Sequence, residues 1–232
     1  MKIGGLQKLT LIDYPGKLAA TVFLSGCNFR CPFCYSSELV IPEKIKNSPE
    51  ISKEYLFNFL EEKKGLLDAI ILCGGEPCLN EDLADLAKEI KKRGFLLKLD
   101  TNGSNPEMLK KLVEENLIDY VAMDIKGPRE RYRDIVGVDI DINKIEESAD
   151  FLLKNSIDYE FRTTIVPSVL LKEDFLKVAE WIKGAKRYYL QQFRPEKTID
   201  PDFEKVKPYS DEYLLEIVKA ISCFFEECRL RQ

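Results

Sequence analysis

The chain has 232 residues, of which 45% are hydrophobic and 32% charged, and its formal net charge is −5. This balance gives no sign of the basic surface that nucleic-acid binding requires. The sequence has no histidine, which removes most zinc-hydrolase, His-based triad and haem sites. No apolar run approaches the roughly 20 residues of a membrane span, and the N-terminus lacks the apolar core of a signal peptide. We therefore expect a cytoplasmic protein that binds neither nucleic acid nor membrane.

Short apolar runs alternate with amphipathic segments along the chain, as in βα units. These runs predict six strands: Ala20–Ser25, Ala69–Cys73, Phe95–Asp100, Tyr120–Ile125, Glu160–Val166 and Arg187–Phe193. No repeat, low-complexity stretch or linker interrupts the pattern, so we predict a single domain over residues 1–232. Six units are too few for a closed eight-stranded barrel. The predicted fold is therefore α/β, a partial (βα)6 TIM-like barrel.

Capping residues and apolar stripes predict the helices between these strands. Asn80 is expected to cap one helix, Asn105 a second, and Ser210 a C-terminal helix whose apolar stripe runs to Phe225. The polar, proline-interrupted stretch 36–49 is expected to be a loop.

Polar and glycine-rich motifs follow the predicted strands, always at the same end. The first four strands lead into Ser25-Gly26-Cys27, Cys73-Gly74-Gly75-Glu76-Pro77, Asp100-Thr101-Asn102-Gly103 and Asp124-Ile125-Lys126. The last two lead into Thr164-Ile165-Val166-Pro167 and Gln191-Gln192-Phe193-Arg194. In barrels of this kind the working residues gather at the carboxyl ends of the strands. The sequence therefore predicts a functional site at that edge.

Three cysteines lie close together in the segment Cys27-Asn28-Phe29-Arg30-Cys31-Pro32-Phe33-Cys34, a C-x3-C-x2-C pattern. Thiolates on one loop can hold an iron–sulfur cluster, and three ligands leave one iron of a 4Fe–4S cube open to a substrate. A structural zinc site normally has four ligands, and three unrelated thiols are the remaining alternative. We predict Cys27, Cys31 and Cys34 as metal ligands and as the catalytic centre.

This motif, with aromatic Phe33 just before its last cysteine, resembles the signature of radical S-adenosylmethionine (radical SAM) enzymes. Gly74, Gly75 and Glu76 resemble the family's glycine-glycine-glutamate motif, which contacts the amino group of the cofactor's methionine part. The glycine motif lies some forty residues after the cysteines and at a strand end. In this arrangement the two motifs together are far more specific than either alone.

Further segments are similar to the activating enzymes of glycyl-radical enzymes, in particular the activator of anaerobic ribonucleoside-triphosphate reductase. They include the opening run 5–16, Leu99–Gly103, Met123–Lys126 and Tyr159–Pro195. The resemblance covers roughly residues 3–201 and implies a single radical SAM domain.

The resemblance implies one 4Fe–4S cluster and S-adenosylmethionine as cofactors. The amino and carboxylate groups of S-adenosylmethionine would chelate the open iron, and one electron would break its sulfur–C5′ bond. The resulting 5′-deoxyadenosyl radical would take a hydrogen from the Cα of a glycine on a partner glycyl-radical enzyme. A reduced flavodoxin or ferredoxin-type protein would donate the electron.

The resemblance also implies a set of cofactor-binding residues. Glu76 would accept a hydrogen bond from the cofactor ammonium, Asp124 would accept from its donors, and Lys126 would meet its carboxylate. Asp100 and Thr101 match a monovalent-cation site that also uses Asp124 and the carbonyl of Ala122. The full implied set is Phe33, Tyr35, Gly74, Gly75, Glu76, Asp100, Asp124, Ile125, Lys126, Arg162, Val166 and Arg194.

Two positions depart from the family pattern. Tyr35-Ser36 follows the last cysteine where the family usually has His-Asn, and Arg194 stands where an adenine-facing histidine is expected. A guanidinium can also stack on a base. Tyr35 could pack over the cluster.

Two rival functions stay open. One is a radical SAM enzyme that acts on a small molecule, such as a 7-carboxy-7-deazaguanine synthase-like enzyme. The other is a non-catalytic cluster protein for electron transfer, which three ligands in place of four argue against. Cys73, Cys78, Cys223 and Cys228 form no convincing second cluster motif, because the last two are expected on different faces of one helix.

Overall fold

The computed structural model describes residues 1–231 and divides into two compact units. The first unit holds residues 1–28 and 38–121, and the second holds residues 29–37 and the chain from Ala122 onward. The division falls within one strand, β5 (Tyr120–Asp124), so each unit contains part of it.

Eight strands follow one another in a single sheet in the order β1 to β8. Their bounds are β1 Ile3–Thr10, β2 Ala19–Leu24, β3 Ala69–Gly74, β4 Leu96–Thr101, β5 Tyr120–Asp124, β6 Asp158–Ile165, β7 Arg187–Gln192 and β8 Glu227–Arg231. Within the first unit β1 pairs with β2 antiparallel, and β2, β3 and β4 are parallel. Within the second unit β6, β7 and β8 are parallel.

All six predicted strands are present, each with ends within two residues of the prediction. The sequence failed to predict β1 and β8 because their burial is weak. Only Ile3 and Thr10 at the two ends of β1 are buried, and β8 has no buried residue. Without a buried alternating face, neither strand carries the period-2 pattern.

The α-helices are α1 Ser37–Val40, α2 Pro42–Asn47, α3 Lys53–Glu62, α4 Leu83–Lys92, α5 Pro106–Glu114, α6 Tyr132–Val136, α7 Ile142–Lys154, α8 Lys172–Trp181 and α9 Asp211–Ile221. The predicted caps are confirmed for α5 and α9. The Asn105 side chain accepts from the backbone N–H of Met108, and Ser210 accepts from that of Tyr213.

Three local predictions were wrong. The stretch 36–49 contains α1 and α2, because Pro42 occupies the first turn of α2, where a missing N–H costs nothing. Asn80 does not cap α4, because this helix begins after Asp82. The side chain of Asn80 instead donates to the carbonyl of Pro77. The C-terminal helix ends at Ile221, and Cys228 lies on β8.

The core of the first unit surrounds β2, β3 and β4. β2 and β3 are nearly continuous apolar runs, as expected of parallel strands buried on both faces, whereas β4 also carries Lys98 and Asp100. The apolar stripe of α4 is fully buried, including Leu83, Ala87 and Ile90. Burying each Leu or Ile stabilises the fold by about 1.5–3 kcal/mol.

The second unit has its own core and a charged anchor for its last strand. Phe161 of β6 and Leu190 of β7 are fully buried. Arg231 of β8 donates two hydrogen bonds, of 2.6 and 2.8 Å, to the buried carboxylate of Glu160. Its guanidinium also lies 3.5 Å above the ring of Tyr189. No helix within residues 1–231 is long and apolar enough to cross a membrane.

Candidate cofactor site

The ends of β2 and β3 approach each other so closely that only glycine fits at two positions. A Cβ on Gly75 would lie 2.0 Å from the carbonyl oxygen of Gly26, and one on Gly74 would lie 2.4 Å from that of Leu24. Gly74 also has a φ of +117°, which side chains rarely adopt. The N–H of Glu76 donates to Gly26 at 2.7 Å. The glycine pair thus holds the β3 end against the residue that precedes Cys27.

Glu76 is a buried carboxylate, 1% exposed, that joins the ends of β3 and β4. Its Oε1 accepts from the N–H of Cys78 at 3.0 Å and from the hydroxyl of Thr101 at 2.7 Å. Its Oε2 accepts from the N–H of Asn102 at 2.6 Å. Burial raises the pKa of Glu76, although these hydrogen bonds act in the opposite direction. The side chain of Cys78 is a further hydrogen-bonding partner of this carboxylate.

Asn102 is a site residue that sequence reasoning missed. It is buried, and its side-chain amide donates to Asn28 at 3.1 Å and lies 3.9 Å from the sulfur of Cys27. Its place directly after Asp100-Thr101 was visible in the sequence, but only the structure shows that its side chain turns toward the cysteine.

Asp100 already has a cationic partner. The ammonium of Lys98 lies 2.6 Å from Asp100 Oδ1, with side-chain exposures of 1% and 11%. Thr101 donates its hydroxyl to Glu76. A monovalent cation at Asp100 would lie beside a buried ammonium, and at about 4 Å such a repulsion is worth roughly 4 kcal/mol near a protein surface. The monovalent-cation site stays a prediction.

Asp124 has two cationic partners in the second unit. Lys126 Nζ lies 2.8 Å from its Oδ2 and Arg162 Nε lies 2.9 Å from its Oδ1. Burial favours the protonated acid, but Arg162 and Lys126 outweigh it and lower the pKa of Asp124 to about 2. The three charges leave a net positive charge at this strand end.

Cys31 lies within the influence of that charge. Burial disfavours the ammonium of Lys126, but Asp124 raises its pKa overall, and Cys31 acts in the same direction. The same attraction favours the thiolate of Cys31, which is the form that binds metal. Cys31 is buried and Cys34 half-buried, and the N–H of Cys34 donates to the carbonyl of Cys31 at 3.0 Å.

The remaining predicted cofactor residues of the second unit differ in burial, and some take part in backbone hydrogen bonds. Phe33 is buried and Tyr35 is exposed, with its hydroxyl accepting from the N–H of Arg194 at 2.8 Å. Ile125 and Val166 are fully buried. The N–H of Ile125 donates to the carbonyl of Arg162 at 2.8 Å.

The thiol donor set fits an iron–sulfur cluster in its chemistry. None of the seven cysteines, all within the described chain, forms a disulfide. Across residues 1–231 no three His, Cys, Asp or Glu side chains are gathered as a ready metal site. The assignment of Cys27, Cys31 and Cys34 therefore rests on their spacing and on the charge beside Cys31.

Comparison with known proteins gives consistent results. The family model of the radical SAM superfamily matches residues 21–182. A protein of Methanocaldococcus jannaschii, named as a candidate glycyl-radical enzyme activating enzyme, is 35% identical over 99% of this chain and 95% of its own. A 7-carboxy-7-deazaguanine synthase of Methanopyrus kandleri is 31% identical, but over 50% of this chain and 52% of its own.

Solved structures also resemble this chain in fold. A domain of a pyruvate-formate lyase-activating enzyme from Bacteroides vulgatus, 16% identical, matches 71% of this chain and 99% of its own with a TM-score of 0.58. This likeness confirms the predicted α/β fold with a partial TIM-like barrel.

Proposed function

The chain belongs to the radical SAM superfamily, and from this premise we propose that it activates a partner glycyl-radical enzyme. The observation that carries the proposal is the 35% identity to a relative named for that activity, over almost the full length of both chains. The family implies a 4Fe–4S cluster and S-adenosylmethionine, and the enzyme performs radical chemistry.

When bound, these cofactors supply reductive cleavage of the sulfonium and abstraction of a hydrogen atom. We assign Cys27, Cys31 and Cys34 as the cluster ligands. Lys126 supports the thiolate of Cys31 electrostatically, and Asn102 provides an N–H near Cys27. Both effects favour negative charge on sulfur, which is what ligation requires.

We assign binding of S-adenosylmethionine to the strand ends. Glu76 would accept a hydrogen bond from its ammonium. Lys126, which makes one hydrogen bond to Asp124, would pair with the carboxylate through its other donors. The resemblance further assigns Phe33, Tyr35, Gly74, Gly75, Asp100, Ile125, Arg162, Val166 and Arg194 as cofactor-binding residues. The resemblance also assigns a monovalent cation to Asp100, where it would compete with the ammonium of Lys98 for the carboxylate.

The partner and the boundaries are also proposals. Anaerobic ribonucleotide reductase is the partner that the sequence resemblance favours, with a reduced flavodoxin or ferredoxin-type electron donor. Both compact units would form one radical SAM domain, which the family match supports by running through residues of each. The cytoplasmic location stays a prediction.

The first experiment tests the cluster ligands. Anaerobically reconstituted protein with dithionite and S-adenosylmethionine should release 5′-deoxyadenosine, measured by chromatography. Cys31→Ala should abolish release, whereas Cys223→Ala, which changes an exposed thiol, should not. Undiminished release from Cys31→Ala would refute the cluster assignment.

The second experiment tests the partner. Glycyl-radical enzymes from the same genome, beginning with ribonucleotide reductase, are incubated with the reduced activator. The true partner should acquire the doublet signal of a glycyl radical in electron paramagnetic resonance. If no partner acquires the signal while a purine-like small molecule is consumed, the chain is a radical SAM enzyme that acts on a small molecule. The shorter match to a 7-carboxy-7-deazaguanine synthase supports this alternative.

A further inference from the structure

Two irregular segments of the second unit contact each other along their length. One is the cysteine loop, residues 31–35. The other is residues 193–203, which follow β7 and include the first three residues of a short 3-10 helix, Pro201–Lys205; we call this segment the brace. Apart from Arg194, the brace has no part in the proposed function.

Main-chain hydrogen bonds join the brace to the cysteine loop on both sides of Phe33. The N–H of Asp200 donates to the carbonyl of Pro32 at 2.9 Å, and the N–H of Ile199 donates to the carbonyl of Cys34 at 3.1 Å. These carbonyls lie outside any helix or strand, so the brace provides the partners that regular structure does not.

Aromatic contacts reinforce this connection. The rings of Phe33 and Phe203 lie 6.2 Å apart. The ring of Tyr35 stacks on that of Phe193, with centroids 5.9 Å apart and an angle of 21°. Both aromatic residues next to Cys34 are therefore held by the brace.

The brace is itself fixed by polar groups. Thr198 is buried, and its hydroxyl donates to the carbonyl of Asp200 at 2.7 Å. The Asp200 side chain accepts from the N–H of Asp202 at 3.0 Å and so begins the 3-10 helix. A segment anchored this way can impose its geometry on the loop beside it.

We propose that the brace is a positioning element, with Phe203 as its principal side chain, that fixes the cysteine loop in the cofactor-free chain and limits access to Cys34. The importance of this loop rests on the proposed cluster ligation. The positioning itself does not, because every contact described lies between protein groups.

The test uses cofactor-free protein and iodoacetamide. Alkylation of each cysteine under anaerobic, reducing conditions is followed by peptide mass spectrometry. Cys223, which is exposed, calibrates the reagent, and Cys228, which is half-buried on β8, reports opening of the second unit as a whole.

Phe203→Ala should raise the alkylation rate of Cys34 about 5- to 10-fold, the scale expected when a local closing equilibrium loses an aromatic pair such as Phe33–Phe203. Cys228 should change less than about twofold, since local opening leaves other elements closed. Phe203→Leu should restore most of the protection. Phe57→Ala, which removes a half-buried ring of the first unit, should leave Cys34 unchanged.

A rate for Cys34 in Phe203→Ala equal to that of the wild type would overturn the proposal. If Cys228 rises equally with Cys34, the variant has opened globally, and Thr198→Val decides instead. That variant removes the hydrogen bond of the Thr198 hydroxyl and should raise the alkylation rate of Cys34 but not that of Cys228. If the rate for Cys34 does not rise selectively, the proposal is also overturned. In reconstituted protein, Phe203→Ala should further alter the paramagnetic resonance of the reduced cluster, whereas Phe57→Ala should not.

Discussion

Asp124→Asn should destabilise the cofactor-free protein by an amount that depends on pH. The carboxylate lies between Arg162 and Lys126, at 2.9 and 2.8 Å, and the three side chains are between 12% and 26% exposed. Asparagine preserves the shape but removes the charge. Two largely buried cations then lose their shared counter-charge.

The magnitude follows from the pKa of Asp124. Its ordinary value is 3.8, and in the folded chain it is about 2. A difference of about 1.8 corresponds to about 2.4 kcal/mol of stability. Breaking a buried ion pair on one side typically costs about 3–5 kcal/mol. We therefore expect Asp124→Asn to lose about 2–4 kcal/mol at pH 7.

The pH dependence has a definite sign. Because folding lowers the pKa of Asp124, its contribution is complete well above pH 3.8 and disappears as the pH falls toward 2. The wild type and the variant should thus differ most at pH 6–7, and their difference should close as the pH drops through the range between those two pKa values.

Urea unfolding followed by circular dichroism, at pH 7, 5 and 3, measures this difference. Asp150→Asn is the matched control, because Asp150 forms an exposed pair with Lys154 at 3.4 Å, and it should leave the unfolding midpoint unchanged. If Asp124→Asn is no less stable than this control, or loses the same amount at every pH, the electrostatic argument is wrong.

Two other expectations concern the first unit. Because Lys98 neutralises Asp100, sodium and potassium should leave the melting temperature of the cofactor-free wild type the same as in tetramethylammonium at equal ionic strength. In Lys98→Met, sodium or potassium should raise the melting temperature. A rise caused by either cation in the wild type would contradict the neutralisation of Asp100 by Lys98. Gly75→Ala should cost about 1–3 kcal/mol or more through overpacking against Gly26. Gly5→Ala, whose nearest contact is 3.4 Å, should be nearly neutral in the same thermal assay, and equal effects would refute the steric reason.

Local patterns were enough to predict the six central strands and the cysteine motif. Parallel strands buried on both faces appear as nearly continuous apolar runs, as β2, β3 and β5 do, and ligand spacing is a property of the chain itself. The brace could not be predicted in this way. Residues 31–35 and 193–203 are far apart in sequence, and neither segment has a periodic pattern that reports the other.

The charges at the strand ends were predicted as residues but not as pairs. Asp100 was assigned to a cation site because it matches the family's pattern, and oxygen ligands suit hard cations. Lys98, two positions earlier on β4, directs its ammonium to the same carboxylate, and a sequence cannot show which way a lysine turns. The same limit hid Asn102 beside Cys27.

The two terminal strands also affect how the protein behaves at high concentration. Strands at the ends of a sheet can recruit another chain and start aggregation, and proteins resist this with irregular or charged edges. β1 has two register irregularities against β2, and β8 carries Glu227, Arg229 and Arg231 within five residues. Replacing Arg229, whose side chain is 72% exposed, with an apolar β-former would make the last strand more prone to pair with another chain, while the Arg231–Glu160 anchor stayed in place.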